Sequence, residues 1–189
     1  MSQASAVAHP GHVNGVDLGA LFNVIKAIQA DPGLAKFNFR ASNQWQGCDK
    51  TRTTIKDFTG ARQTHRTSGP SFVVDSGEPP VLLGTDSAPN AGEYLLHTLA
   101  SCITTSIAYH AAANAVEIGA IDSNLEGDID LRGFLGLSPD VRKGFSDIRV
   151  TMRVKTDARA NRIRDFASMS PMLEMVSKAT PVALEIETY

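Results

Sequence analysis

The feature that most constrains this chain is its most apolar stretch, residues 93–118. A helix over residues 90–115 is predicted there, opened by the Ser-Ala-Pro-Asn run at residues 87–90. His97 and His110 interrupt the stretch, together with several Ser and Thr residues, and a lipid-spanning helix rarely carries such groups. The segment is therefore predicted to be a buried helix on which the rest of the chain packs.

The composition excludes several classes of function. The chain has 189 residues, enough for one domain with a sizeable core and an extension. Lys plus Arg number 18 and Asp plus Glu 20, so the net charge is −2 and a nucleic-acid partner is not expected. Two cysteines cannot form a disulfide-rich secreted scaffold, and no Cys/His spacing is typical of a zinc or other metal site.

The N-terminus shows no targeting signal. Residues 1–13 are small and polar, with neither a basic region nor an apolar one, and are interpreted as a flexible N-terminus. We therefore expect a soluble, cytoplasmic protein without a membrane partner. A helix follows over residues 16–30, and its apolar stripe is expected to dock on the chain's own core rather than on a partner subunit.

The remaining elements predict an α+β fold in which antiparallel hairpins pack against the apolar helix. Residues 46–50 are predicted to form a hairpin turn, and residues 59–69 a mobile loop. Strands are predicted over residues 36–45, 51–58, 71–75, 81–83, 125–134, 147–155 and 182–186. Helices are predicted over residues 158–168 and 171–177, separated by a Ser-Pro interruption.

Cys102 is the first chemical candidate. On the predicted helix it shares a face with Thr98, Leu99, Thr105 and Ser106. The helix context favours a small buried hydrophobic residue. The alternative is a reactive thiol, which at mid-helix lacks the N-terminal dipole and would need a cation from elsewhere in the fold.

Glu93 and Cys48 carry alternative interpretations. Glu93 lies in the first helical turn, where a carboxylate stabilises the helix end. It lies nine residues before Cys102, about half a turn out of phase, so in a shared site it would act through a third group such as an arginine. Cys48 lies in the predicted turn, either as an exposed thiol without a role or as a resolving thiol for Cys102.

A longer sequence pattern resembles the signature of a known protein family. Residues 89–102 read Pro-Asn-Ala-Gly-Glu-Tyr-Leu-Leu-His-Thr-Leu-Ala-Ser-Cys and resemble the signature of the OsmC/Ohr family, Pro-x-x-x-Glu-(Tyr)-Leu-Leu-x-x-Leu-Ala-x-Cys. Flanking residues 82–86 and 126–144 agree with OsmC-like proteins. The likeness covers residues 36–189, and residues 14–35 then form an N-terminal helical extension.

The resemblance implies a fold and an activity. The fold is a two-layer α+β architecture with curved antiparallel sheets around a long buried central helix, intertwined as a homodimer. The activity is a thiol peroxidase of oxidative-stress defence, which reduces an organic hydroperoxide, uses an external thiol reductant and needs no metal or organic cofactor. Cys102 matches the peroxidatic cysteine and Glu93 the glutamate that orients an arginine. Arg52 is the nearest match to that arginine, with Arg40 as the fallback.

One departure leaves two hypotheses open. The family's resolving Cys-Pro matches Ser170-Pro171, so the chain would be a one-cysteine variant reduced by an external thiol or by Cys48. In that enzyme Cys102, Glu93 and Arg52 are catalytic, and the neighbouring helix residues bind substrate. The alternative is a non-catalytic dimer that binds an apolar small molecule, with Cys102 as a packing residue. The predicted substrate-binding residues are Thr98, Leu99, Thr105 and Ser106.

Overall fold

The computed structural model describes residues 11–178 and 180–188, which form two compact units. We call Asp17–Leu95 the N-terminal unit, and Met1–Val16 together with Leu96–Tyr189 the core unit. Residues 1–10 of the predicted flexible N-terminus lie outside the described residues. Among the described residues, no helix combines the length and the apolar character needed to cross a lipid bilayer.

The N-terminal unit begins with helix α1, Leu18–Ala30. Asp17 caps it by accepting a hydrogen bond from the Ala20 N–H, and the chain then enters a 3₁₀ turn at Pro32–Ala35. No residue of α1 is buried, and Phe22 remains 43% exposed. The apolar stripe predicted from the sequence is thus present, but within this unit it has no core to dock on.

Two three-stranded antiparallel sheets follow. One has the order β3-β6-β7, and the other the order β4-β5-β8. The strands of the first are β3 (Phe37–Phe39), β6 (Phe58–Gly60) and β7 (Gln63–His65). The strands of the second are β4 (Ser42–Gly47), β5 (Lys50–Ile55) and β8 (Phe72–Ser76).

This topology corrects two strand predictions and one loop prediction. The single strands expected over residues 36–45 and 51–58 are each divided, because β3 pairs with β6 whereas β4 pairs with β5 in another sheet. The expected loop at residues 59–69 contains the β6–β7 hairpin. Its turn residues Ala61 and Arg62 both have positive φ, a conformation that neither residue type signals.

The strand expected over residues 81–83 is also wrong, since Pro80–Leu82 forms a 3₁₀ turn. The two prolines that precede Val81 lack backbone N–H groups and cannot contribute donors to a sheet. The predicted turn at residues 46–50 is confirmed, because Gly47 and Cys48 with positive φ connect β4 and β5.

The core unit is organised around helix α2, Ala91–Ala113, which begins at the end of the N-terminal unit. Its buried stripe recurs every four residues at Leu99, Ile103, Ile107 and Ala111, which confirms the predicted core helix. Strands β9 (Ala120–Asp128) and β10 (Asp147–Lys155) form an antiparallel pair. Their inward side chains pack on this stripe, together with Ile163 and Phe166 of α4 (Ala160–Ser168).

The predicted strand over residues 125–134 ends early. It stops at Asp128, and a short helix α3 spans Leu131–Phe134. Asp130 caps α3 by accepting a hydrogen bond from the Arg132 N–H, a local bond that competes with strand pairing. Strand β10 keeps the strict alternation of burial predicted for residues 147–155.

The C-terminal elements agree in part with the prediction. Helices α4 and α5 (Pro171–Ser177) are separated at the expected Ser-Pro step. The expected strand over residues 182–186 is not formed, and residues 180–188 adopt no regular secondary structure.

A hairpin that the sequence analysis missed ties the start of the chain to the core unit. Strands β1 (His12–Val13) and β2 (Val16–Asp17) flank an Asn-Gly turn in which both residues have positive φ. The Asn14 side chain donates to the Val116 carbonyl (3.0 Å) and accepts from the Ile118 N–H (2.8 Å). One side chain therefore satisfies backbone groups at the connection between α2 and β9.

Replacing Asn14 with Ala should lower the free energy of unfolding by about 1–3 kcal/mol, because two backbone groups lose their partner and alanine disfavours positive φ. Urea unfolding followed by circular dichroism measures this change. Asn14→Gly should recover part of the loss, since glycine tolerates the backbone conformation. The exposed Asn124→Ala is the control, and equal stabilities for Asn14→Ala and this control would contradict the assignment.

Candidate functional site

Cys102 lies at the border of the buried stripe of α2. Leu99 and Ile103 are each 2% exposed, whereas Cys102 is only partly buried and is a free thiol. A residue three positions after Leu99 is displaced from it by about 60° around the helix axis. Cys102 therefore lies at the edge of the buried stripe, where its side chain is partly exposed.

The neighbouring hydroxyls bind the backbone of α2. Thr105 donates to the Ser101 carbonyl (2.9 Å) and Ser106 donates to the Cys102 carbonyl (2.8 Å). These are bonds to the residue four positions earlier, a common use of Thr and Ser within helices. Their protons are thus committed to carbonyl oxygens in this structure. Of the other predicted substrate-binding residues, Leu99 belongs to the core and Thr98 is exposed.

The described arginines of the core unit that form ion pairs bind carboxylates and not the Cys102 thiol. Within the described part of this unit, no arginine donates a hydrogen bond to the Cys102 thiol. Arg149 binds Glu126 and Asp128, and Arg132 binds Asp130. These are exposed ion pairs on the outer side of the β9–β10 sheet and its connection.

Glu93 forms a reciprocal cap with Asn90. The Asn90 N–H donates to the Glu93 carboxylate (2.8 Å), and the Glu93 N–H donates to the Asn90 side-chain oxygen (2.9 Å). This is a capping box, which satisfies two backbone donors at the start of α2. The predicted helix-end role of Glu93 is confirmed, and its role in orienting an arginine stays a prediction.

Arg52 lies on β5 opposite Asp75 of β8 and binds it through two hydrogen bonds. The Nε–Oδ1 distance is 2.7 Å and the Nη2–Oδ2 distance 2.9 Å. These hydrogen bonds and the guanidinium charge lower the pKa of the Asp75 carboxyl. The fallback Arg40 donates a single hydrogen bond to Asp57, whose pKa is also lowered.

Strand β8, which pairs with the strand that holds Arg52, is hydrogen-bonded to the start of α2. Tyr94 donates from its hydroxyl to the Asp75 carbonyl (2.8 Å), and Ser76 donates to the Pro89 carbonyl (3.1 Å). Because Tyr94 follows Glu93 directly, these bonds place Asp75, the partner of Arg52, on the strand that adjoins the first turn of α2. Within the N-terminal unit, Arg52 and Glu93 therefore lie on two elements that each contact β8.

Asp49 is an organising residue that the sequence analysis missed. Its carboxylate accepts from the Glu78 N–H (3.0 Å) and, more weakly, from the Thr85 N–H (3.4 Å), and these bonds lower its pKa. It thereby holds residues 78–85 against the turn that carries the exposed Cys48, whose thiol donates to the Leu83 carbonyl at 3.9 Å. The available signal was an acidic turn residue preceding a loop rich in Gly and Pro.

Ser170 has a clear local role. It is fully buried and caps α5 by accepting from the Leu173 N–H (3.3 Å), with Pro171 in the first helical position. Serine before proline is a favoured way to begin a helix. Among the described residues, no group of three or more His, Cys, Asp and Glu side chains could hold a metal ion.

The capping box yields a prediction that separates stability from chemistry. Asn90→Ala should lower the free energy of unfolding by about 1 kcal/mol, because the cap is lost. Glu93→Gln should leave stability nearly unchanged, since a glutamine oxygen also serves in a capping box. Urea unfolding of both variants beside the wild type checks this. A larger loss for Glu93→Gln than for Asn90→Ala would contradict the capping assignment.

The Arg52–Asp75 pair yields a pH prediction. Because the folded-state pKa of Asp75 is lowered, the stabilisation by this pair is complete at neutral pH and is lost as the pH falls through that pKa. A carboxyl-detected NMR titration should give Asp75 a midpoint below the ordinary value for aspartate. In Arg52→Gln the midpoint should return toward that value, and an unchanged midpoint would contradict the pairing.

More than half of this sequence matches a known protein family. The family model for OsmC-like proteins matches residues 84–185, which include α2, β9, β10 and α4. No curated protein matches the chain. The solved structure of an OsmC like protein from Mycoplasma pneumoniae has a TM-score of 0.55 at 13% identity, covering 75% of this chain and 89% of that one.

A second structure, from Psychrobacter arcticus 273-4, is described as an osmotic stress induced and detoxification response protein. It has a TM-score of 0.52 at 14% identity, covering 71% of this chain and 85% of that one. At these identities the two structures show a common fold, and its mixed helices and open antiparallel sheets confirm the α+β class. Because the family model matches more than half of the sequence, the chain belongs to the OsmC-like family.

Proposed function

We propose that this protein is a thiol-dependent peroxidase that reduces organic hydroperoxides, with Cys102 as its only essential cysteine. The observation that carries the proposal is the placement of Cys102: a free thiol, partly buried, at the border of the core stripe of α2 and inside the segment that matches the family. A thiol at such a border combines restricted solvent access with one open side. Reactive cysteines are typically found in partially exposed positions of this kind.

The chemistry is a nucleophilic displacement on oxygen. The Cys102 thiolate attacks the terminal oxygen of the hydroperoxide, a sulfur–oxygen bond forms and the oxygen–oxygen bond breaks. The alkoxide takes up a proton and leaves as an alcohol, so the sulfur is oxidised to a sulfenic acid by two electrons. An external thiol then condenses with the sulfenic acid, releasing water and forming a mixed disulfide. A second thiol cleaves that disulfide and restores Cys102.

Arg52 is the proposed stabiliser of the thiolate. Two of its five guanidinium N–H groups bind Asp75, and among the described residues no other acceptor is bound to the rest. The Asp75 carboxylate also fixes the orientation of the guanidinium. Glu93 is the proposed orienting residue, and Arg40 is the alternative cation should Arg52 not serve.

The expected substrate is apolar. Leu95 and Tyr109 lie seven residues before and after Cys102, two turns away on the same helix face, and are 38% and 50% exposed. Apolar side chains beside a reacting thiol favour alkyl or aryl hydroperoxides over hydrogen peroxide, since burial of the organic group adds to binding. Ser106, between Cys102 and Tyr109, supplies the polar member of this row.

We further propose a cytoplasmic homodimer that depends on an external thiol. Both cysteines are free, as is usual for a reducing compartment. Ser170 cannot form a disulfide, so regeneration falls to an external reductant, or to Cys48 if the two thiols can meet. The exposed apolar residues of α1, such as Phe22 and Ile25, are suited to contact with a second copy.

A second candidate function has specific support. Glu93, Arg52 and Ser170 each have a structural partner: Asn90, Asp75 and the Leu173 N–H. Each residue is thereby explained without catalysis. On this hypothesis the protein is a non-catalytic dimer that binds an apolar small molecule, with Cys102 as a packing residue.

A peroxidase assay with matched variants distinguishes the peroxidase from the non-catalytic binding protein. With cumene hydroperoxide and excess dithiothreitol, we expect turnover that falls at least about 100-fold in Cys102→Ser, because a hydroxyl is a far weaker nucleophile than a thiolate. Cys48→Ser, the matched control, should retain wild-type turnover. Loss in both variants would assign Cys48 as the resolving thiol. No turnover in the wild type would overturn the peroxidase proposal and favour the non-catalytic binding protein.

The same assay tests whether Arg52 stabilises the Cys102 thiolate. Arg52→Gln should slow the reaction, because the thiolate loses its cation. Arg40→Gln is the control for removal of an exposed guanidinium. A slower reaction in the Arg40 variant only would transfer the role to Arg40, and an unchanged rate in both variants would remove both arginines from the mechanism.

A further inference from the structure

Arg52 lies on the central strand of its sheet. Strand β5 pairs with β4 on one side and with β8 on the other, so its backbone is held from both sides. In this register Arg52 lies between Gln44 of β4 and Asp75 of β8. The arginine side chain is long, has many rotamers and is 52% exposed. The sheet therefore fixes the backbone of Arg52, and a further contact must fix its guanidinium.

Asp75 supplies that contact through both of its carboxylate oxygens. Nε of Arg52 donates to Oδ1 at 2.7 Å, and Nη2 donates to Oδ2 at 2.9 Å. Two parallel bonds fix the plane of a guanidinium as well as its position, which a single bond does not. Arg40, by comparison, donates one hydrogen bond to Asp57. Of the two candidate arginines, Arg52 is therefore the one with a bidentate partner among the described residues.

The bidentate contact leaves one end of the Arg52 guanidinium available. Nε and one N–H of Nη2 are used, so both N–H groups of Nη1 and the second N–H of Nη2 remain. In the part of the chain that the structure describes, no other acceptor binds them. The carboxylate thus fixes one edge of the guanidinium and leaves donors for an anionic sulfur or oxygen atom.

The glutamate that the family resemblance assigns to this arginine is engaged elsewhere. The Glu93 carboxylate accepts from the Asn90 N–H at 2.8 Å in the capping box of α2. It forms no ion pair with a lysine or arginine that the structure describes. The direct contact with Arg52 is therefore made by Asp75 and not by Glu93.

Tyr94 connects the first turn of α2 to the strand of Asp75. It follows Glu93 in the sequence, and its hydroxyl donates to the Asp75 backbone carbonyl at 2.8 Å. A second bond joins Ser76 to the Pro89 carbonyl at 3.1 Å. Because β8 is an edge strand with one neighbouring strand in its sheet, these bonds give it a second support.

We propose that Asp75 positions Arg52 for the proposed peroxidase reaction, and that Tyr94 in turn holds Asp75. Glu93 then acts on the arginine through the helical turn that it caps, without touching it. Asp75 is a positioning residue, because it acts on the reaction through Arg52. The inference deepens the proposed function and rests on it.

A double-mutant cycle tests the proposal in the assay with cumene hydroperoxide and excess dithiothreitol. Asp75→Asn should lower turnover at least about tenfold when Arg52 is present, and less than about twofold in the Arg52→Gln background. The reason is that a carboxylate acting through Arg52 has nothing to position once the arginine is absent. Asp75→Glu, which keeps the charge, should recover part of the loss. The matched control is Asp57→Asn, which removes the carboxylate beside Arg40 and should leave turnover unchanged.

The order of the guanidinium gives a second readout, which does not depend on activity. By NMR, the Nε proton of Arg52 should exchange with water at least about tenfold faster in Asp75→Asn than in the wild type, because the bidentate acceptor is lost. Tyr94→Phe, which removes only the hydroxyl, should give a smaller increase. Glu93→Gln should show the wild-type exchange rate, since glutamine keeps the capping box.

The outcomes separate this inference from the peroxidase proposal. Equal losses from Asp75→Asn in both backgrounds would assign the residue to the fold alone and overturn the positioning role. Fast exchange in Glu93→Gln with slow exchange in Asp75→Asn would also overturn it, and would give the direct contact to Glu93. Both results leave the peroxidase standing if the wild type turns over. A wild type without turnover would overturn the peroxidase and the role of Asp75 together. Circular dichroism of each variant checks that it is folded.

Discussion

Burial of one stripe of α2 is the interaction on which the core unit depends. Leu99, Ile103 and Ile107 lie almost out of contact with solvent, and burial of such a side chain stabilises a fold by roughly 1.5–3 kcal/mol. Strands β9 and β10 and helix α4 close over this stripe. Helical geometry then fixes the position of Cys102 relative to the buried residues, and Cys102 lies at the border of the stripe.

Two candidate catalytic residues, and the serine at the position of the family's resolving cysteine, also maintain local structure. Glu93 caps α2, Arg52 binds Asp75 across two strands, and Ser170 caps α5. Because of this dual use, one substitution can remove a helix cap and a charge together. Glutamine at position 93 can keep the capping box while removing the carboxylate charge, so that variant distinguishes the two roles.

The sequence predicts elements well where a pattern is local and repeated. The spacing of apolar residues placed α2, and strict alternation placed β10 at its observed limits. The sequence-based prediction failed where pairing partners lie far along the chain, as in the division of residues 36–45 between two sheets. It also failed where Ala61 and Arg62 form a turn, because neither residue type is usual in such a turn. The signature at residues 89–102 predicts Cys102 and Glu93 as site residues, which stays a prediction. It could not place Asp75 or Asp49, because their roles depend on contacts made only in the folded chain.

The most direct test of the central claim is the mass of the Cys102 peptide after one equivalent of cumene hydroperoxide. The proposed chemistry requires one added oxygen atom on Cys102 that a dithiol removes, and no added oxygen on Cys48. An unmodified Cys102, with the hydroperoxide unconsumed, would contradict the proposal that this thiol is a peroxidatic nucleophile.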